Sequence, residues 1–192
     1  VSSATPRIPP LAPPYPEDIA EHFARIMPEG MPPLLLFRTI ATSPRAWRKF
    51  TAGSLLDQGP LSLREREIVI DRTCALAGCE YEWGVHVAIF AARVGLTEAE
   101  IRALVSEAAD APCWPQRERA LIAAVDALHH RATWSRAEFD ALKQHFDAAQ
   151  VLEVIQLCGF YRMVSYFANA LDLPLEPNAA RFASCRDEAG ET

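Results

Sequence analysis

The sequence predicts an all-α fold, a bundle of helices, and three observations carry that expectation. Helix-start patterns recur from Leu34 onward: Ser43-Pro44 places proline at the first helical position, and Ser62 to Glu65, Thr97 to Glu100 and Ser135 to Glu138 are capping-box patterns. Helix stops are as regular, with Gly59-Pro60, Gly78, Gly95 and Pro112 at the ends of periodic segments. Within the segments around 115–131 and 148–171 the apolar residues recur with a period near 3.6, and little in the chain alternates as a strand would.

Taken in order, the chain opens with an arm over residues 1–33 that holds nine of the fifteen prolines. Proline fixes the backbone and removes amide donors, so the arm is expected to be extended apart from one short helix around Glu17 to Ile26. Whether it hangs loose or lies across the body of its own or a neighbouring subunit is open at this level. A helical domain follows over 34–177, with helices expected at 34–41, 44–57, 63–77, 79–94, 98–109, 115–131, 136–146 and 148–171. In the last of these Val151, Leu152, Ile155, Cys158, Gly159 and Met163 mark the apolar stripe. A tail over 178–192 closes the chain, and from Ala180 to Thr192 it is expected to fray.

Composition narrows the function. With 192 residues, half of them apolar, the chain is long enough for one sizeable core. Its 19 Lys+Arg against 25 Asp+Glu leave a net charge of -6, without the clustered basic field that phosphate binding needs, so no nucleic-acid partner is expected. The longest apolar stretches, Leu34 to Phe37 and Val85 to Ala92, fall far short of the ~20 residues that cross a bilayer, so no membrane partner is expected either. No basic segment leads into an apolar run at the start, so no signal peptide is expected. Five cysteines at irregular spacing read as mostly reduced thiols of a cytoplasmic protein.

The chemistry concentrates between Arg64 and His86. If a helix begins near Cys79, then Cys79, Glu82 and His86 fall at i, i+3 and i+7, placing a thiol, a carboxylate and an imidazole within about 60° of one face. Cys79 would stand at the helix N-terminus, where free amides and the helix dipole favour a thiolate. On the preceding helix Leu63, Glu67, Ile70 and Cys74 form another stripe whose sole charge is Glu67, a carboxylate that must find a partner or hold a proton. Each residue has a plainer reading. Glu67 could pair with Arg64 or Arg72, Glu82 could be a surface ion-pairing residue, and His86 a hydrogen-bonded core histidine. Cys74, Cys113, Cys158 and Cys185 read as small buried hydrophobes. Tyr81 and Trp83 flank the stripe and point away from it, Trp83 toward packing; the aromatic residues Phe160, Tyr161, Tyr166 and Phe167 suit a core or interface. His129, His130 and His145 read as solvent-facing.

The joint spacing, Glu67, eleven residues, Cys79, six residues, His86, resembles the carboxymuconolactone decarboxylase and alkylhydroperoxidase D-like superfamily. The resemblance runs on through Val94 to Ile101 and more loosely through Phe160 to Leu175. It implies an alkylhydroperoxidase D-like helical bundle that assembles as a homo-oligomer (dimer, trimer or hexamer) and acts on a small molecule without a metal or organic cofactor. One branch of the family reduces hydroperoxides with a Cys-x-x-Cys pair relayed by glutamate and histidine. The other decarboxylates a lactone formed in the breakdown of aromatic acids and needs no cysteine pair. Here Glu82 stands at the second cysteine position, so no resolving thiol exists there. A Cys74–Cys79 disulfide would require the Gly78 turn to bring the side chains together. Glu67, Cys79, Glu82 and His86 are therefore the candidate catalytic residues, with acid-base chemistry of decarboxylase, lyase or isomerase type favoured. A single-cysteine, thiol-dependent hydroperoxide reductase is the alternative, and a non-catalytic ligand-binding or assembly protein the third reading. No cofactor-binding or metal-ligating residues are assigned.

Overall fold

The computed structural model describes residues 5–55, 57–106, 109 and 111–185. Among them the secondary structure is entirely helical. In chain order the α-helices are α1 (Glu17–Ile26), α2 (Leu35–Ile40), α3 (Pro44–Ala52), α4 (Leu63–Leu76), α5 (Glu80–Val94), α6 (Glu98–Ser106), α7 (Gln116–Arg131), α8 (Arg136–Lys143) and α9 (Ala148–Ala170). Among the described residues no helix is long and apolar enough to cross a membrane.

The caps form as the sequence indicates. Ser62 and Glu65 close a reciprocal box at the start of α4, and Ser135 and Glu138 do so for α8. Ser43 accepts the Ala46 N–H ahead of Pro44, and Asp147 with Gln150 adds a further box under α9. Two helices end early. The segment expected to run to residue 57 stops at Ala52 with Gly53 as its C-cap, and beyond it Arg66 binds the carbonyls of Leu55 and Asp57. The segment expected to run to 146 stops at Lys143, where Arg117 claims the carbonyl of His145.

The centre of the bundle is α4, which packs against α5, α6, α7 and α9. Every residue from Glu65 to Cys74 is buried, although five of those ten are charged. Such a helix tolerates burial only if its ionisable groups meet partners or stay neutral. Arg66 pairs with Glu153 of α9 at 2.6 Å, Arg72 with Asp126 of α7 at 2.7 Å, and Glu65 with Arg117 of α7 at 2.6 Å. At its start Arg64 reaches Glu100 at 2.6 Å and Glu118 at 2.7 Å.

Helix α9 corrects one expectation. Its core face is Val151, Val154, Leu157, Tyr161, Val164 and Ala168, whereas Leu152 and Ile155 of the expected stripe are 61% and 44% exposed. The helix is apolar on two faces, so periodicity alone finds a stripe without saying which one the core takes.

Described segments near both termini lie on the bundle. In the arm, Arg7 and Leu11 donate backbone N–H groups to Leu171 and Arg38. At the other end Ala180 N–H bonds Gly84 O at 3.0 Å and Phe182 N–H bonds the Glu80 carboxylate at 2.8 Å. The expected fraying therefore does not hold over 180–185, which straps the outer face of α5; residues 186–192 lie outside the described residues. Gly84 makes this close approach possible, since a Cβ there would sit 2.4 Å from the carbonyl oxygen of Ala180.

Candidate functional site

The α4–α5 turn sets the geometry. Gly78 adopts φ +62°, donates to Ala75 O at 3.0 Å, and lets Cys79 N–H return to Cys74 O at 2.9 Å. These two bonds are the Schellman pattern that ends a helix with glycine in the left-handed region. Cys79 is thus both the residue that closes α4 and the N-cap of α5. The hairpin pairs one residue of α4 with one of α5 along an antiparallel seam, Cys74 with Cys79 at the turn and Glu67 with His86 near the far end.

Three of the four candidate residues come together. His86 Nδ1 lies 2.8 Å from Glu67 Oε2, and its Nε2 lies 3.4 Å from Glu82 Oε1 one turn back on α5. All three side chains are buried. Burial works against a charged ring, but the two carboxylates outweigh it and raise the His86 pKa well above its ordinary value. The imidazole is edge-on to Tyr161 and tilted against Phe90. Glu67 therefore serves neither Arg64 nor Arg72, which are taken by Glu100, Glu118 and Asp126.

A cavity of about 170 Å³ opens onto this group. Glu82 and His86 form polar parts of its lining, while Phe37, Phe50, Phe90, Phe160 and Tyr161 supply aromatic wall. Arg93, two turns beyond His86, also lines it, stacks over the Phe90 ring at 5.3 Å, and has no ion-pair partner among the described residues. Phe160 and Tyr161 are the two residues of the α9 aromatic set that reach the cavity. Trp83 does not; it is 1% exposed and packs on Phe182 of the C-terminal strap.

Cys79 sits apart from the cavity, fully buried at the turn. The dipole argument for a thiolate is overruled here. Burial is the largest influence and pushes the thiol up to about 11, despite favourable contacts with the Glu82 and Tyr81 backbone N–H groups and the Ser165 hydroxyl, and Glu82 adds to the rise. Among the described residues no group of three or more His, Cys, Asp or Glu side chains is arranged to hold a metal ion.

Asp71 was not in the α4 stripe read from sequence. It lies four residues after Glu67 and three before Cys74, is 1% exposed, and neither carboxyl oxygen has a hydrogen-bond partner among the described residues. Burial, then the Glu67 and Glu82 carboxylates, hold its pKa well above the ordinary value, with His86 in opposition. The i, i+4 spacing from Glu67 was the available signal.

Residues 41–126 match the Carboxymuconolactone decarboxylase family. No curated protein matches the chain in sequence. Among solved structures the fold is similar to an uncharacterized peroxidase-related protein from Silicibacter sp. TM1040, with a TM-score of 0.77 at 20% identity over 90% of this chain and 93% of that one. An uncharacterized peroxidase-related protein from Ralstonia eutropha JMP134, described as an alkylhydroperoxidase AhpD core, gives 0.75 at 22% identity over 84% and 87%. The debrominase Bmp8 gives 0.70 at 16% over 93% and 95%, and a cysteine-to-alanine variant of it was solved in complex with 2,3,4-tribromopyrrole.

Proposed function

We propose, for a chain that belongs to the carboxymuconolactone decarboxylase and alkylhydroperoxidase D-like superfamily, that it performs cofactor-independent acid-base chemistry of decarboxylase, lyase or isomerase type on a small unsaturated carboxylate or lactone. One observation carries the reading: His86 is held between Glu67 and Glu82, and Glu82 and His86, not Cys79, face the cavity. Glu67 fixes the ring and its charge through Nδ1, and Nε2 and Glu82 are left to move protons at the cavity. In a decarboxylation the C–C bond to the carboxylate breaks, CO₂ leaves, and the electron pair left on the substrate is taken up by a proton from the His86–Glu82 pair. The aromatic walls suit a flat, unsaturated molecule, and Arg93 offers a guanidinium to an anionic group.

The test is CO₂ release or isomerisation of carboxylated lactones by the native protein, Glu82→Gln and Cys79→Ser. On the acid-base reading Glu82→Gln lowers kcat by about 100-fold or more, and Cys79→Ser keeps turnover near the native rate. A second reading, a thiol-dependent hydroperoxide reductase, has support in the placement of Cys79 beside Cys74 with Ser165 near both thiols. It requires the reverse order of severity, organic hydroperoxide consumption with a dithiol reductant, and a sulfenic acid or Cys74–Cys79 disulfide by mass spectrometry. An inert Cys79 removes it.

Assembly as a homo-oligomer belongs to the same proposal. The outward stripe of Leu152, Ile155 and Tyr166 on α9, the last 60% exposed, supports it. Sedimentation of the native protein against Ile155→Lys tests it, with dissociation of the variant as the expected result.

A further inference from the structure

The α4–α5 seam brings Cys79 N–H to Cys74 O at the turn and His86 to Glu67 toward the far end, and the antiparallel register between these two contacts sets Asp71 across from Glu82, whose charge acts on it. The middle pair is two acids. Among the described residues Asp71 lacks a hydrogen-bond partner on both oxygens and Glu82 lacks one on Oε2, while Glu82 Oε1 lies 3.4 Å from His86 Nε2. The other buried acids around α4 are answered: Glu65 by Arg117, Glu67 by His86, Glu118 by Arg64 and Glu153 by Arg66. The cations of α4 cannot serve Asp71, since Arg66 is turned to α9 and Arg72 to α7.

Two carboxyls held near each other out of water do not both ionise without a cation for each, and among the described groups that act on Asp71 the cation is His86, already shared by Glu67 and Glu82. The charged groups that act on Asp71 are Glu67 of α4 and Glu82 and His86 of α5, and Cys74, one turn along α4, feels the charge of Asp71 in turn. None is a cation except His86.

We propose that Asp71 is a proton-holding positioning residue: as a neutral acid it donates its O–H to the unpartnered Glu82 Oε2, so that Asp71 and Glu82 keep one proton between them. Glu82 faces the cavity and Asp71 stands behind it, away from substrate. When Glu82 gives a proton to the reacting molecule, the O–H bond of Asp71 breaks, its proton passes to Glu82, and Asp71 becomes the anion until the product step returns the proton. The use of this pair rests on the acid-base reading; its existence does not.

Infrared difference spectroscopy of the full chain at neutral pH tests the pair without any substrate. The native protein is expected to show a carboxylic acid C=O band that shifts with isotopically labelled aspartate and is lost in Asp71→Asn. In Glu82→Gln the band moves, because the acid has exchanged a carboxylate acceptor for an amide. Absence of the band in the native protein, its persistence in Asp71→Asn, or an unmoved band in Glu82→Gln each overturns the proposal. Should Asp71→Asn fail to fold, the isotope shift and Glu82→Gln still decide it. Failure to turn over carboxylated lactones bears on the proposed reaction and leaves the band unchanged.

Discussion

Two sets of charges are buried side by side along α4, and they obey different rules. On the sides facing α7 and α9, Arg66, Arg72 and Glu65 each meet an opposite charge at 2.6–2.7 Å, and Arg66 further binds loop carbonyls. On the side facing α5, three acids, Glu67, Asp71 and Glu82, share one histidine. Compensated pairs hold helices in register. In this second set Asp71 and His86 are both held above their ordinary pKa values, the first by burial and neighbouring carboxylates, the second by the carboxylates against burial. The same helix therefore supplies architecture on one side and, on the acid-base reading proposed above, the reacting groups on the other.

Breaking the compensated side should have the largest effect on stability. Arg66→Ala leaves Glu153 buried without its cation and frees the loop at Leu55 and Asp57. We expect a loss of about 3–5 kcal/mol in urea unfolding. Next comes the C-terminal strap: Gly84→Ala drives a methyl into the Ala180 carbonyl, and overpacking of this kind costs about 1–3 kcal/mol by the same measurement.

The site side makes a prediction about pH. Asp71 has a raised folded-state pKa, so the native chain keeps a proton that the unfolded chain has released above the ordinary aspartate range. Stability should therefore fall as pH rises through that window, by roughly 1.4 kcal/mol per pH unit for one retained proton. His86 adds in the same direction. Its raised pKa gives stability fully present below about pH 6.5 and lost as pH climbs through the folded-state value. Urea midpoints measured across this range should show the decline in the native protein and a shallower slope in Asp71→Asn; equal slopes would mean that Asp71 is ionised in the folded state. The smallest effect belongs to an exposed pair, Arg136 with Asp140 at 2.9 Å, where Arg136→Ala should change stability by about 0.5 kcal/mol or less.

The helical class, the caps at Ser43, Ser62 and Ser135, and the stop at Gly78 were legible because they depend on residues within a few positions of one another. So was the grouping of Glu67, Glu82 and His86, since a helical hairpin of known register needs only 3.6-residue periodicity and one turn. Asp71 escaped notice because its neighbour in sequence, Ile70, already filled the apolar stripe. A charge among the arginines of α4 looks solvated until the surrounding helices are in place. The inward face of α9 was equally hidden, both faces being apolar.

What the sequence by itself determined is local: where helices start and stop, and which side chains of α4 and α5 share a seam. Tertiary structure alone decided which charges are answered and which are not, that Cys79 is buried with a protonated thiol, and that Glu82 and His86 open onto the aromatic cavity. The physical reason is that backbone capping and helical periodicity act over a few residues. Desolvation and charge compensation depend on residues brought together from across the chain, such as Arg66 and Glu153, and no local pattern records them.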